Sequence, residues 1–554
     1  MRIQRLGSSM LVAMFALTSF AQTAGQPSTL QQVVDRIFQR EQEEVKALAR
    51  YSPVAETYIQ NIQRDRDQMV VPKSDHYFVG KLSLSDGSFD EHVFSLREGA
   101  VSKAGHKIGD HLNIFGVKYN ADGFSYEIFP DQNSFDAQHY DISFVQREFL
   151  GDVRTLVFDV VPKKNSGNGR FLGRIWVEDK DFTIVRFNGT YAPKPRTGLF
   201  FHFDSWRVNT VGDLWAPAYI YSEESEALYG MNQHMSMKAQ TRIWGYNSRG
   251  SNKDSEFSEI LIDSPNAKDQ SVAAQDASPL EGRRAFERMA EDNVLTKMES
   301  VGLLAPAGEL DKILLTVINN LEITNKLDIQ PEIRCRVLLT TPLESFTVGH
   351  TIVISRGLID VLPDEASLAM VLSRELAHIA LGHHFDTRYA FSDRMQFADE
   401  KAYQNLAFGH TEKEEMQADA KAEELLKNSP YADKLATAGL FLRALESRAT
   451  ALTALNQAHL GTALVEEGHV VRLRSLMNAA PQLELGKLDQ IAALPLGGRV
   501  KLNPWTNSVA LVKTAPLPIM SAADKMPFEV TPFLPHIQRV GATTDTSVAS
   551  AGNK

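Results

Sequence analysis

The spacing of apolar positions changes several times along the chain, and each change predicts a different kind of element. Between residues 28 and 66, Val33, Val34, Ile37 and Phe38 form an apolar stripe among Arg, Gln and Glu, which predicts helix. From Tyr77 to about Tyr246 the period falls to two. Residues 124–129, 155–161, 174–178, 182–187 and 199–206 read as successive antiparallel strands, with polar turns such as 163–167 and 179–181 between them. That pattern predicts a β-meander of seven or more strands with one face packed on a core. Residues 264–279 lose all periodicity in Ala, Asp, Gln and Ser and read as an exposed linker. Helical spacing returns with Leu310, Ile313, Leu314, Val317 and Leu321. Beyond Leu485 the prolines at 495, 504, 516, 518, 527, 532 and 535 predict an extended segment that wraps over another part, with a disordered end.

The fold class expected is therefore α+β: an antiparallel β-meander domain with a flanking helix, then a mostly helical domain with a small edge sheet. The boundaries fall at 22–255 for the β-rich domain, 256–285 for the linker, 286–484 for the helical domain and 485–554 for the Pro-rich tail. Residues 1–21 have the form of a signal peptide. Arg2 and Arg5 precede an apolar run from Met10 to Leu17, and Ser19-Phe20-Ala21 offers small residues at −3 and −1. Export to a periplasm or the extracellular space follows from that pattern. No Cys follows the cleavage point, which excludes a lipid-anchored N-terminus, and no later apolar run is long enough to span a bilayer.

Composition narrows the classes of function. A net charge of −11 argues against a nucleic-acid partner and gives no sign of a basic membrane-binding surface. Cys335 is the single cysteine, so no internal disulfide is available. It alternates with Arg334 and Arg336 alongside Ile333, Val337 and Leu339, which places it on the buried face of a strand with a structural role. No Ser-His-Asp order, phosphate-binding glycine loop or Cys pair is present, and His350 reads as a surface or strand-edge residue.

Candidate chemistry concentrates on two helices. The first starts at Asp364 as N-cap and runs to about Leu381, with Leu368, Leu372, Leu376 and Ile379 on a core face. Arg374, Glu375 and His378 recur at i, i+1 and i+4 on the opposite face and so share a site. The second starts at Thr411, whose capping box is completed by Glu414, and projects Glu415 and Asp419 one turn apart. In HExxH helices two His reach one zinc and the intervening Glu activates the bound water. Here Arg374 holds the first His position.

In this order and spacing, residues 375–383 followed by Glu415, Ala418 and Asp419 resemble zinc metallopeptidases of the HtpX/CAAX-prenyl-protease (gluzincin) type. Residues 352–358 match that family's strand and turn before the active helix, and 436–445 with His469 and Arg472 loosely follow its later segments, although Val470 replaces a Pro. The resemblance covers roughly 310–480 and implies zinc as cofactor and a polypeptide substrate or client. It implies Glu375 as general base, His378 and Glu415 as zinc ligands, Asp419 as their support and His469 as a residue lining the cleft. The hairpin of residues 173–186 weakly resembles periplasmic lipoprotein-carrier domains, which implies a lipid or lipoprotein ligand for the β-domain.

Arg374 divides the functional expectations. A guanidinium has no acceptor atom and cannot ligate a metal, but it can replace zinc's charge through a bidentate contact to Glu415. That gives a pseudo-peptidase, binding an extended polypeptide as a strand added beside an edge at 351–355. A rival reading is an active zinc endopeptidase with a rebuilt set of His378, His384 and Glu415, reached if the helix ends at Gly382. The bland account of His383 and His384 is a polar helix end favoured by the helix dipole. A third reading puts function in the β-domain as a carrier of lipid or lipoprotein.

Overall fold

Helix α1 (Leu30–Leu48) starts where Thr29 caps it, in a box completed by Gln32. The helix expected to reach residue 66 stops at Leu48, and strand β1 (Val54–Arg64) takes the second half. Pro53 pushes the preceding residue out of helical backbone, and the Thr, Tyr and Ile of β1 suit a pleated strand. The computed structural model describes residues 29–66, 68–85, 88–90, 119, 124–132, 134–193, 199–211, 213–229, 233–247, 279–383, 406–484, 487, 490, 498–512, 526 and 528–541. The signal-peptide pattern, the linker at 264–278, His384 and the last dozen residues lie outside them.

Ten strands form one antiparallel sheet: β1, β2 (Val70–Leu82), β3 (Phe89–Asp90), β4 (Tyr140–Leu150), β5 (Val153–Pro162), β6 (Arg170–Glu178), β7 (Ile184–Ala192), β8 (His202–Asn209), β9 (Trp215–Tyr229) and β10 (Gln233–Trp244). β4 to β10 follow one another as a meander, and β1 joins antiparallel to β10, so the first strand closes against the last. The strand expected over 199–206 begins at His202. Residues 124–129 are not a strand. They carry a 3-10 turn over Tyr126–Ile128 that buries Phe124, Ile128 and Phe129, and the apolar alternation reflects that burial.

The sheet buries apolar residues on both faces, not one, while β4 stays largely exposed. Phe158, Phe171, Ile175, Phe187, Phe203 and Ile220 pack with Val34, Ile37 and Phe38 of α1. The alternate positions Val157, Trp176, Val185, Trp206, Trp215 and Trp244 share one continuous core with the C-terminal half. Polar contacts fix that junction. The buried carboxylate of Glu56 accepts from Thr341 N, Thr341 Oγ1 and Arg356 Nη2 at 2.6–2.7 Å. Asp75 accepts the N–H groups of Ala454 and Leu455, each at 2.8 Å, and Trp244 Nε1 donates to the Gly302 carbonyl.

The second half carries α2 (Pro279–Ser300), α3 (Glu309–Asn325), α4 (Arg356–Val361), α5 (Glu365–Ala380), α6 (Glu412–Lys427) and α7 (Leu435–Arg448) around a four-stranded sheet. The strands are β11 (Arg334–Leu338), β12 (Glu344–Val348), β13 (Thr351–Ser355) and β14 (Thr462–Ala463), in the order β11-β13-β12-β14. β13 is therefore central, paired parallel to β11 and antiparallel to β12, and it is no edge for an incoming strand. The outer side of β11 is bonded to residues 303–305, since Ala305 N donates to the Val337 carbonyl and Leu339 N to that of Leu303. Cys335 is buried on β11, and burial pushes its thiol up to about 12, which suits a structural residue. From the tail, Phe528, Val530 and Ile537 enter the shared core, where Gln60 bonds the Phe528 carbonyl and the Val530 N–H. Among the described residues no helix is long and apolar enough to cross a membrane.

Candidate active site

Asp364 accepts from Ser367 N at 2.8 Å and starts α5 at the position expected for its N-cap. The helix is buried nearly all round rather than on one face: Leu372 and Leu376 meet the core, and Arg374, Glu375 and His378 are equally enclosed beneath α6. Thr411 and Glu414 form the capping box of α6, which fixes Glu415 in its first turn and Asp419 one turn on. The spacing thus brings Arg374, Glu375, His378, Glu415 and Asp419 together.

The Arg374 guanidinium lies at the centre of these groups. Its Nη1 donates to Glu375 Oε1 at 2.9 Å, its Nη2 pairs with Glu415 Oε2, and its Nε is 3.4 Å from Asp419 Oδ1. The expected bidentate contact to Glu415 is replaced by contacts to three carboxylates, because the two helices present them on different sides of the planar group. Glu415 Oε1 accepts from Thr462 Oγ1 at 2.8 Å, and Arg472 Nε lies 3.7 Å from Oε2. Glu375 Oε1 also accepts from Ser345 Oγ at 2.8 Å, and Asp419 Oδ2 accepts from Leu473 N at 2.9 Å.

Burial dominates the electrostatics. It pulls Arg374 below its usual value against the pull of Glu375 and Asp419, and a guanidinium starting above 12 still keeps its charge. Burial raises Glu375, with Arg374 and Ser345 working against it. Burial, helped by His410 and Arg374, pushes His378 down to about 2, so its imidazole is neutral.

His469 does not reach the site. Its side chain is 73% exposed and lies 3.4 Å from Glu446. Ser345 on β12, Thr462 on β14 and Arg472 come in from elements far along the chain, and no local spacing announces them. His410, the residue before the α6 cap, was equally invisible to spacing. Its ring stacks on that of His378 with centroids 3.9 Å apart. His383 approaches from the other end, its Nδ1 2.9 Å from His378 Nδ1.

A helix holding RExxH, crossed by a second helix with an inward Glu and Asp and flanked by a small mixed sheet, is the arrangement that the sequence resemblance implies. Residues 306–459 match the family model of Peptidase family M48, so this region is similar to the metallopeptidases of that zinc-dependent family. The match leaves the N-terminal sheet uncovered. No curated protein matches the chain. Among solved structures it is similar to a putative outer membrane lipoprotein-sorting protein domain from Vibrio parahaemolyticus, at 11% identity, TM-score 0.18, covering 39% of this chain and 93% of that one.

The residues at the family's zinc position do not supply its ligand set. Arg374 offers five donors and no lone pair. Both oxygens of Glu415 are already engaged, one by Thr462 and one by Arg374. The rebuilt set of His378, His384 and Glu415 includes His384, which lies outside the described residues.

Proposed function

We propose that this protein is an exported pseudo-peptidase: an M48-type domain that engages a polypeptide without hydrolysing it. The observation that carries the reading is the Arg374 guanidinium, buried and in contact with Glu375, Glu415 and Asp419. A cation there offsets the charge that three neighbouring carboxylates would otherwise carry unpaired, a burden of several kcal/mol per buried ion. It also ties Glu375, the expected base, to a permanent cation. A polypeptide as client rests on the family match, and export rests on the N-terminal sequence pattern. Residues 351–355 offer no open edge for strand addition, since β13 lies between β11 and β12. A cleft at the end of α5, lined by Leu381, His383, Gln417, Lys421 and Glu424, is the better candidate surface.

The test is incubation of the purified full chain with reduced, carboxymethylated casein, with added zinc and with chelator. The expected result is binding, read by fluorescence anisotropy, and no cleavage in either condition. Chelator-sensitive cleavage that Glu375→Gln abolishes would overturn the reading.

A further inference from the structure

The His378 ring has two polar edges, and they face different neighbours. Nε2 lies 3.5 Å from Glu415 Oε2, on the side that Arg374 fills. Nδ1 points the opposite way, 2.9 Å from His383 Nδ1. His410 stacks on the same ring, with planes 18° apart. Taking one nitrogen from each of the three histidines, all lie within 4.8 Å of one another. They reach this point from three places: the interior of α5, the turn after it and the approach to α6. The turn depends on Gly382, at φ +67°, a left-handed backbone that glycine adopts without strain. It returns the chain so that His383 N donates to the His378 carbonyl at 3.1 Å.

The bland account is a stacked, hydrogen-bonded histidine cluster at a helix end. It satisfies one edge of His378 and leaves Nε2 buried 3.5 Å from Glu415 Oε2, at the far limit of a hydrogen bond. The tautomer that suits the Glu415 carboxylate carries its proton on Nε2, and its lone pair is then on Nδ1, aimed at His383. A carboxylate on one imidazole edge and a metal on the other is the usual way a protein orients a ligating histidine.

We propose that His378, His383 and His410 form a site for a divalent transition metal of the zinc class, displaced from the family's zinc position to the opposite edge of the His378 ring. Glu415 then orients His378 instead of binding the ion, and Arg374 neutralises Glu415. Zinc–nitrogen bonds of about 2.0–2.1 Å place tetrahedral ligand nitrogens ~3.3 Å apart. The Nδ1 atoms of His378 and His383 are slightly closer than that, and the His410 ring has to tilt out of its stack to turn a lone pair inward. Three imidazoles leave a fourth position for water. The cleft beside His383, bounded by Gln417, Lys421 and Glu424, gives the ion and that water a way in. The inference goes beyond the pseudo-peptidase reading and stands or falls separately from it.

The experiment is titration of the metal-stripped full chain with Zn²⁺ by calorimetry and with Co²⁺ by visible absorption, for wild type, His383→Ala, His410→Ala and Glu415→Gln. Circular dichroism melts confirm that each variant folds, and His383→Asn and His410→Asn replace any that does not. One equivalent is expected in the wild type, with affinity falling more than about a hundredfold in the His383 and His410 variants, beyond the 10–100-fold typical of an orienting partner. Wild type that binds no metal overturns this proposal and leaves the ion-pair reading intact. Binding indifferent to His383 and His410 also overturns it, and if Glu415→Gln then abolishes that binding, the ion-pair reading fails with it.

Discussion

At the scale of single residues, the question is what a guanidinium does in a place built for a dication. Arg374 touches Glu375, Glu415 and Asp419, and its geometry explains how this helix pair tolerates that much buried acid. Returning the first ligand tests how far the surroundings are still suited to zinc. Arg374→His is expected to gain zinc binding that Glu415→Gln removes and His383→Ala spares, measured by calorimetry on the purified variants. The sequence made Arg374, Glu375, His378, Glu415 and Asp419 legible as one group because they repeat at helical spacing on two capped helices. It did not reveal His410, Ser345, Thr462 or Arg472, whose approach depends on tertiary folding and carries no local period. His469, which family resemblance placed in the cleft, is exposed beside Glu446, because it lies on a short hairpin turned toward α7.

At the scale of elements, the period-two and helical patterns located strands and helices well but not what covers them. The expectation of a one-faced sheet failed because residues facing opposite ways are both apolar, as at Val157 and Phe158, and pattern alone cannot name the second covering layer. The strand expected over 124–129 failed for a related reason: a 3-10 turn capping the sheet buries apolar residues with similar spacing. That turn carries Glu127, which bonds Ser222 and which burial raises to about 8. The folded state therefore keeps a proton that the unfolded chain releases above its ordinary value near 4.5. Its contribution to stability is full below 4.5 and declines by roughly 1.4 kcal/mol per pH unit as pH rises toward 8. Glu127→Gln is expected to remove that slope, seen by comparing urea midpoints of variant and wild type from pH 5 to 8. A parallel slope in the two proteins would contradict it.

The junction between sheet and helices makes a prediction at the same scale. Asp75 on β2 caps the helical turn at Thr453–Asn456 by accepting from two backbone N–H groups and from Tyr58. Asp75→Ala leaves those donors unpaired in the core, and a loss of roughly 2–4 kcal/mol in unfolding free energy is expected. Denaturant titration measures it.

At the scale of the whole molecule, the sequence suggested two bodies joined by a linker, with a tail laid over one of them. One apolar cluster runs from Trp176 and Trp215 on the sheet through Leu314 and Leu372 to Phe528 in the tail, while a second packs α1 on the other face of the sheet. That continuity predicts one cooperative thermal transition in calorimetry for the full chain, where independent bodies would give two. It also gives the M48-type region a rigid backing, so that β12, α5 and α6 hold their buried charges in fixed register. The account's central claim is that the Arg374 charge replaces the metal's in holding this arrangement together. The most direct measurement is a double-mutant cycle of Arg374→Met and Glu415→Gln on the unfolding free energy of the full chain. Each single change is predicted to cost about 3–5 kcal/mol, because it strands a buried charge, and the double variant to cost clearly less than their sum. Costs that add to within about 0.5 kcal/mol would contradict the account.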